Sequence, residues 1–222
     1  MPCLLYCVAR ADSEVVGSLA GVCDAPVESS KSGSLRIYWN EIADPETVLA
    51  EGTAKKTAEL KFRQVLRELV THFTPIALPF PVVLADLEAV EKYVEELRAH
   101  YDDALTRLAD TVQYELIASW AAAEQADLAT PVSGRQYLKR LQEAEGRIAA
   151  IDTKLKTVTA GVVREWRARQ DRRKRHWFAL VARQDRERFV AALRSAGPSE
   201  GVRLRLSGPW PPSEFAASLE SQ

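Results

Sequence analysis

The apolar residues of this chain recur with two different periods, and the changes between them predict its elements. Residues 3–9, Cys-Leu-Leu-Tyr-Cys-Val-Ala, form a short apolar run rich in strand formers and too short for a helix. A stretch rich in Gly, Ser and Asp follows. Leu35, Ile37 and Trp39 then alternate with Arg36 and Tyr38, the pattern of a second strand. Asp44-Pro45 suits a helix start, with Pro at the first helical position. A longer helix is expected from about Thr53 to His72, its apolar side made by Phe62, Leu66, Leu69 and Phe73 with Val65 and Val70 beside them. Pro75 and Pro79 should stop it and enclose a short extended segment, Ile76-Ala77-Leu78.

Asp86 is placed to cap the next helix. Leu87, Val90, Val94, Leu97, Tyr101, Ala104 and Leu108 recur at alternating steps of three and four, a sustained apolar stripe bounded by charge. The period changes to two over residues 112–120, where Val112, Tyr114, Leu116, Ala118 and Trp120 face one way. After a polar, Ala-rich loop, the longest helical pattern runs from Ser133 to about Arg169. Its stripe is Tyr137, Leu141, Ala144, Ile148, Ile151, Leu155, Val158 and Val162. Such a stripe, roughly 38 Å long, exceeds what a small sheet can cover, so its far end is expected to meet another helix or a partner. Gly146 and Gly161 each weaken the helix by about 1 kcal/mol relative to Ala and mark where it would bend or break. Trp177–Ala182 is apolar on both faces and predicts a central strand. A short helix capped by Asp185 reaches Arg194 and ends at Ala196-Gly197-Pro198. A last strand spans residues 202–206. The first half therefore reads β-β-α-β-α and the second β-α-β-α-β, which predicts an α+β fold with helices packed on small sheets.

Charge sharpens the division. Of 222 residues with net charge −1, residues 1–110 hold 11 Lys/Arg against 18 Asp/Glu, and residues 111–222 hold 19 against 13. An acidic N-terminal domain, 1–110, is expected to precede a basic C-terminal domain, 111–222, with a tail at 208–222. The overall balance argues against a wholesale polyanion binder, while its asymmetry suggests two domains or two faces for different partners.

Three cysteines, Cys3, Cys7 and Cys23, make no disulfide framework and suit a reducing compartment. No signal peptide and no membrane-length apolar run is legible, so the expected location is the cytoplasm. On a regular strand Cys3 and Cys7 would face the same way but lie roughly 13 Å apart, too far to share a metal ion or a disulfide. His72, His100 and His176 are widely spaced. No nucleophile elbow, Walker loop or dinucleotide fingerprint is present in the sequence. The carboxylate pairs Glu95-Glu96 and Asp102-Asp103 lie away from their helix's apolar stripe, where nothing separates their pKa values for acid–base work. The expectation is a protein that is not an enzyme and uses no metal or cofactor.

Two features remain. Arg164, Arg167, Arg169, Arg172, Arg173, Lys174 and Arg175 form a basic run flanked by Trp166 and Trp177. They suit either the solvated end of the long helix or a patch for an anionic partner, and the second supports an alternative reading as a nucleic-acid-binding regulator using segment 164–175. The tail Gly208-Pro209-Trp210-Pro211-Pro212 holds Trp210 on a stiff turn that should not continue a sheet, with Phe215 shortly after. It reads as a structural latch or a partner anchor. As a latch, its indole is expected to close the C-terminal domain's own core beside 177–182 and 202–206.

Gly208-Pro209-Trp210-Pro211-Pro212-Ser213-Glu214-Phe215 resembles the C-terminal signature of the GvpL/GvpF family of gas vesicle proteins. Leu5-Tyr6-Cys7-Val8 is similar to the family's opening strand. Gly134-Arg135 with Tyr137-Leu138 is similar to the entry to its long helix. Leu78-Pro79-Phe80 sits where the family has a Pro-Arg-Phe-Gly segment, but Pro79-Phe80-Pro81 here lacks both the Arg and the Gly. The resemblance implies two α+β domains of ferredoxin-like character and long packed helices. It also implies a non-enzymatic accessory role in forming gas vesicles in the cytoplasm, by binding the small shell protein GvpA or other gas vesicle proteins.

Overall fold

The computed structural model describes residues 1–13, 16–120, 133–171, 174–197 and 202–216. The chain divides into two compact units, one formed by Met1–Val112 with the chain from Pro209 onward, the other by Gln113–Gly208.

In the first unit β1 (Cys3–Arg10), β2 (Glu28–Ser32), β3 (Leu35–Glu41) and β4 (Ile76–Leu84) form a four-stranded sheet in the order β2-β3-β1-β4. The strand made of the apolar run takes a central place because it alone is apolar on both faces, and Cys3 through Ala9 are buried. It pairs antiparallel with β3 and β4, and in both ladders the register shifts between Leu5 and Cys7: Tyr6 is the extra residue against β3, whereas residues 78–81 of β4 lie opposite Tyr6 alone. Leu4, Cys7 and Ala9 consequently share one face with Tyr38, while Cys3, Leu5 and Val8 lie on the other. The two thiols therefore point to opposite faces, where an unbroken alternation would have put them on one.

On the first face packs α2 (Thr53–His72), burying Ala58, Phe62, Val65, Leu66 and Leu69, as its spacing predicts. Tyr6 stacks on Phe62 with centroids 5.0 Å apart and Tyr38 on Phe73 at 5.1 Å. A single turn, α1 (Glu46–Leu49), precedes it. The other face carries Leu5, Val8, Leu35 and Ile37, all buried. Helices α3 (Leu87–Glu96) and α4 (Arg98–Arg107) contact β1 and bury Val90, Val94, Tyr101 and Ala104. The Asp86 carboxylate caps α3 by accepting from the Ala89 N–H at 2.9 Å. The continuous stripe predicted one helix here, but Leu97, at φ −106° and ψ 7°, separates two. Neither Gly nor Pro marks that break.

Sequence pattern also understated β4 and missed β2. Strand β4 runs through Pro79 and Pro81, which are tolerated because they lie on an edge strand and within the register shift of its ladder with β1, between the pairs Cys7–Ala77 and Leu5–Val82. Strand β2, Glu-Ser-Ser-Lys-Ser, has no apolar alternation because it forms the opposite, exposed edge.

In the second unit β5 (Thr111–Trp120), which begins within the first, is followed by α5 (Gly134–Val158), β6 (Val163–Asp171), β7 (Lys174–Ala182), α6 (Arg186–Ser195) and β8 (Val202–Trp210). The strands form a second four-stranded sheet, β6-β7-β5-β8. Here the reading of a helix to Arg169 is corrected. Helix α5 ends at Val158, Gly161 takes φ 77°, and the chain turns into strand β6. Glycine meets that left-handed conformation without a Cβ clash. Beyond it the β-branched and aromatic residues Val162, Val163 and Trp166 favour extended backbone. The order is thus β-α-β-β-α-β, one strand more than the sequence pattern showed. Strand β7 lies between β6 and β5 with Trp177 to Ala182 buried. Trp177 donates its indole N–H to Asp152 of α5 at 2.8 Å, tying helix to sheet. Among the described residues, no helix is long and apolar enough to cross a membrane.

Candidate functional site

Strand β8 carries the tail motif further into the sheet than its prolines predict. Residues 208–210 continue the strand to Trp210. Two local facts allow it. Strand β8 is an edge, so Pro209 need not donate to an inner neighbour. Gly208 holds φ 129°, and a Cβ there would come within 2.9 Å of both the Gln113 carbonyl oxygen and Tyr114 Cδ1. Only glycine passes this point without displacing β5.

After Trp210 the chain turns. Pro211 and Pro212 are buried, the Ser213 N–H donates to the Pro211 carbonyl at 2.8 Å, and the Phe215 N–H donates to the Pro212 carbonyl at 3.0 Å. The turn drives Phe215 inward to zero exposure. Trp210 is half-buried, and the Arg67 guanidinium of α2 lies 5.5 Å from its ring centroid. The expected packing of this indole against residues 177–182 is therefore corrected: from Pro209 on, the tail belongs by its contacts to the first unit. Chain adjacency suggested the second domain, but the cation that meets the ring sits on α2, far upstream.

The basic run occupies a hairpin, not a helix end. Residue Arg164 is the bulged position of β6, between Val163 opposite Val181 and Glu165 opposite Leu180. Trp166 and Ala168 share the face of Ala179 and Trp177, and Trp166 lies 6.4 Å from Phe189 of α6. Asp152 of α5 and Phe189 of α6 meet that face at Trp177 and Trp166. Arg167 and Arg169 fall on the opposite face with Phe178 and His176. Arg164, Arg167 and Arg169 are exposed. Arg167 pairs with Glu165 at 2.9 Å, and the Arg169 guanidinium lies 5.8 Å from the Phe178 ring centroid. Arg175 sits on the Trp177 face and is half-buried, so the run does not present one surface. The side chain of Lys174 and residues Arg172 and Arg173 lie outside the described residues.

Several polar arrangements escaped the sequence. Tyr6 donates its hydroxyl to Asn40 Oδ1 at 2.5 Å and accepts the Val22 N–H at 2.8 Å, while the Asn40 amide donates to the Glu41 carbonyl at 2.6 Å. Gly21 fits against this network because a Cβ would lie 2.6 Å from Tyr6 Oη. Burial pushes the Tyr6 phenol and the Cys7 thiol well above their ordinary ranges, so both stay neutral. The signal that could have found the network is Asn40, a polar residue at a position whose face-mates, Leu4 and Tyr38, are apolar or aromatic. Arg98 clamps the β2–β3 turn through the Ser32 carbonyl at 2.9 Å and Ser32 Oγ at 3.0 Å, with Glu95 holding its other side. In the second unit His176 Nδ1 lies 2.8 Å from Glu115 Oε1. Among the described residues, no group of three or more His, Cys, Asp or Glu could hold a metal ion. These networks join elements of the fold, and none juxtaposes a nucleophile with a base.

Comparison with known proteins matches residues 2–217 to the family model described as gas vesicle synthesis protein GvpL/GvpF. Gas vesicle protein L1 of Halobacterium salinarum is 26% identical over 264 aligned residues, covering 97% of this chain and 90% of that protein. The crystal structure of gas vesicle protein GvpF from Anabaena sp. PCC7120 superposes with a TM-score of 0.77 at 16% identity, over 97% of this chain and 95% of that one. GvpF from Microcystis aeruginosa gives 0.73 at 14% identity, over 97% and 98%. At such identities the two crystal structures support the fold.

Proposed function

The chain belongs to the GvpL/GvpF family of gas vesicle synthesis proteins and serves gas vesicle formation, and we propose that it does so as a non-enzymatic accessory factor in the cytoplasm and at the vesicle, binding the small shell protein GvpA or other gas vesicle proteins during assembly. The observation that carries this reading is the family match along residues 2–217. The surface assigned to the partner is the first half of α5. On that half Leu138, beside the apolar stripe, is 59% exposed, whereas Ile151 and Leu155 further along the helix are buried. The β-α-β-β-α-β order of the second unit, in the spatial order β6-β7-β5-β8, supports the ferredoxin-like character that the family resemblance implies. The tail residues Gly208, Pro209, Trp210, Pro211, Pro212 and Phe215 act in this reading as a latch on the first unit, supported by the full burial of Phe215.

The test is a pull-down with tagged protein from cells expressing a complete vesicle gene set, paired with deletion of this gene. Recovery of GvpA or an accessory protein, lost when Leu138 is replaced by Glu, is expected. No recovery of any gas vesicle protein, together with normal vesicles after deletion, overturns the proposal.

A further inference from the structure

The two units carry opposite charge, and the boundary drawn by contacts separates it further than the midpoint of the chain does. Residues 113–208 hold 19 Lys/Arg against 11 Asp/Glu, a net +8, and the remainder holds 11 against 20, a net −9. A chain of net charge −1 is thus built from one strongly basic and one strongly acidic body.

The charges are also ordered within each body. On the basic one, edge strand β6 presents Arg164, Arg167 and Arg169, all exposed. On the acidic one, Glu88 and Glu91 of α3 lie three residues apart, so they share a helix face, and both are exposed. The two carboxylates flank the buried line of Val90 and Val94, and exposed Lys92 lies one turn from Glu88 on the same side. Opposite patches of this kind attract across roughly one Debye length, about 8 Å at physiological salt, and steer encounter.

We propose that the chain associates head to tail with a second copy of itself, the arginine edge of β6 in one protomer docking on the acidic face of α3 in the next. A patch that meets a different patch makes a heterologous contact, which closes into a ring or extends as a filament. The inference rests on charge complementarity within this chain and is independent of the shell-protein reading.

Sedimentation velocity of the purified full chain, over a range of concentrations and at low and high salt, tests it. At low salt the sedimentation coefficient should rise with concentration, and in about 0.5 M salt it should fall to the monomer value, where screening has shortened the reach of these charges. Arg167→Glu with Arg169→Glu should abolish low-salt association. So should Glu88→Lys with Glu91→Lys. Mixing the two folded double variants should restore it, because each retains the natural patch the other has lost. A protein that stays monomeric at low salt overturns the proposal. So does association that survives both reversals, or a monomer that instead shifts RNA in a gel with a steep salt slope, which would assign the arginines to a polyanion.

Discussion

Replacing Phe215 by Ala tests whether the tail is a latch on the first unit. The side chain has zero exposure and follows the buried Pro211 and Pro212. Truncating a fully buried Phe removes its transfer energy and leaves a cavity, typically about 3–5 kcal/mol. A domain's whole stability is about 5–15 kcal/mol, so the loss is a large share of it. For a chain of this length each kcal/mol moves the melting midpoint by about 2–4 °C, which predicts a fall of roughly 6–20 °C. Trp210→Ala should cost less, because its ring is only half-buried and its guanidinium contact is of a kind worth about 0.5–1 kcal/mol at exposed sites. Thermal and denaturant melts measure the total. Native-state amide exchange locates it: protection should drop first in β1 and α2. A Phe215→Ala protein that melts within about a degree of the parent, or that loses protection in β7 while β1 and α2 stay protected, would falsify the latch.

Other substitutions probe the polar networks. Asp152→Ala leaves the Trp177 indole N–H, buried to 1% exposure, without its acceptor and should cost about 1–3 kcal/mol in denaturant unfolding; Asp152→Asn keeps an oxygen there and should lose less. Gly21→Ala places a Cβ 2.6 Å from Tyr6 Oη and 2.9 Å from Asn40 Oδ1, so it should lower stability by about 1–3 kcal/mol, and a melt equal to the parent's would show that the loop yields freely. Cys7, Tyr6 and Tyr101 are all pushed up by burial. Their stabilising share is complete below their ordinary values, about 8.5 for a thiol and 10 for a phenol, and is lost as pH rises above them. Unfolding free energy measured against pH should therefore begin to fall from about pH 9 upward, and Tyr6→Phe should flatten part of that decline.

The patterns legible in the chain were those that packing repeats locally. The run 3–9 was legible as a strand, and β1 forms there; Trp177–Ala182, apolar on both faces, was legible as a central strand, and β7 has that place. The spacing of Phe62, Leu66 and Leu69 marked the buried side of α2, and Asp86 marked the start of α3. What escaped had no local repeat. Strand β2 is polar because it is an edge, and the Tyr6 bulge leaves no trace in an unbroken apolar run. The basic run fitted a helix end by charge alone, and the period-two placement of Trp166 and Ala168 became visible only once Trp177 and Ala179 lay opposite them.

By itself the sequence determined the α+β class, the central strand 177–182, the buried faces of the helices and the motif that ties the chain to its family. Each depends on spacings shorter than one element, where side-chain periodicity and backbone preference act directly. Only the tertiary structure decided that Phe215 and Trp210 join the first unit, that Cys3 and Cys7 face apart, and that the arginines of β6 edge a sheet. Those outcomes depend on partners distant in the chain: the Arg67 guanidinium under Trp210, the strands on either side of β1, and β7 beside β6. No spacing along the chain records which of these meet.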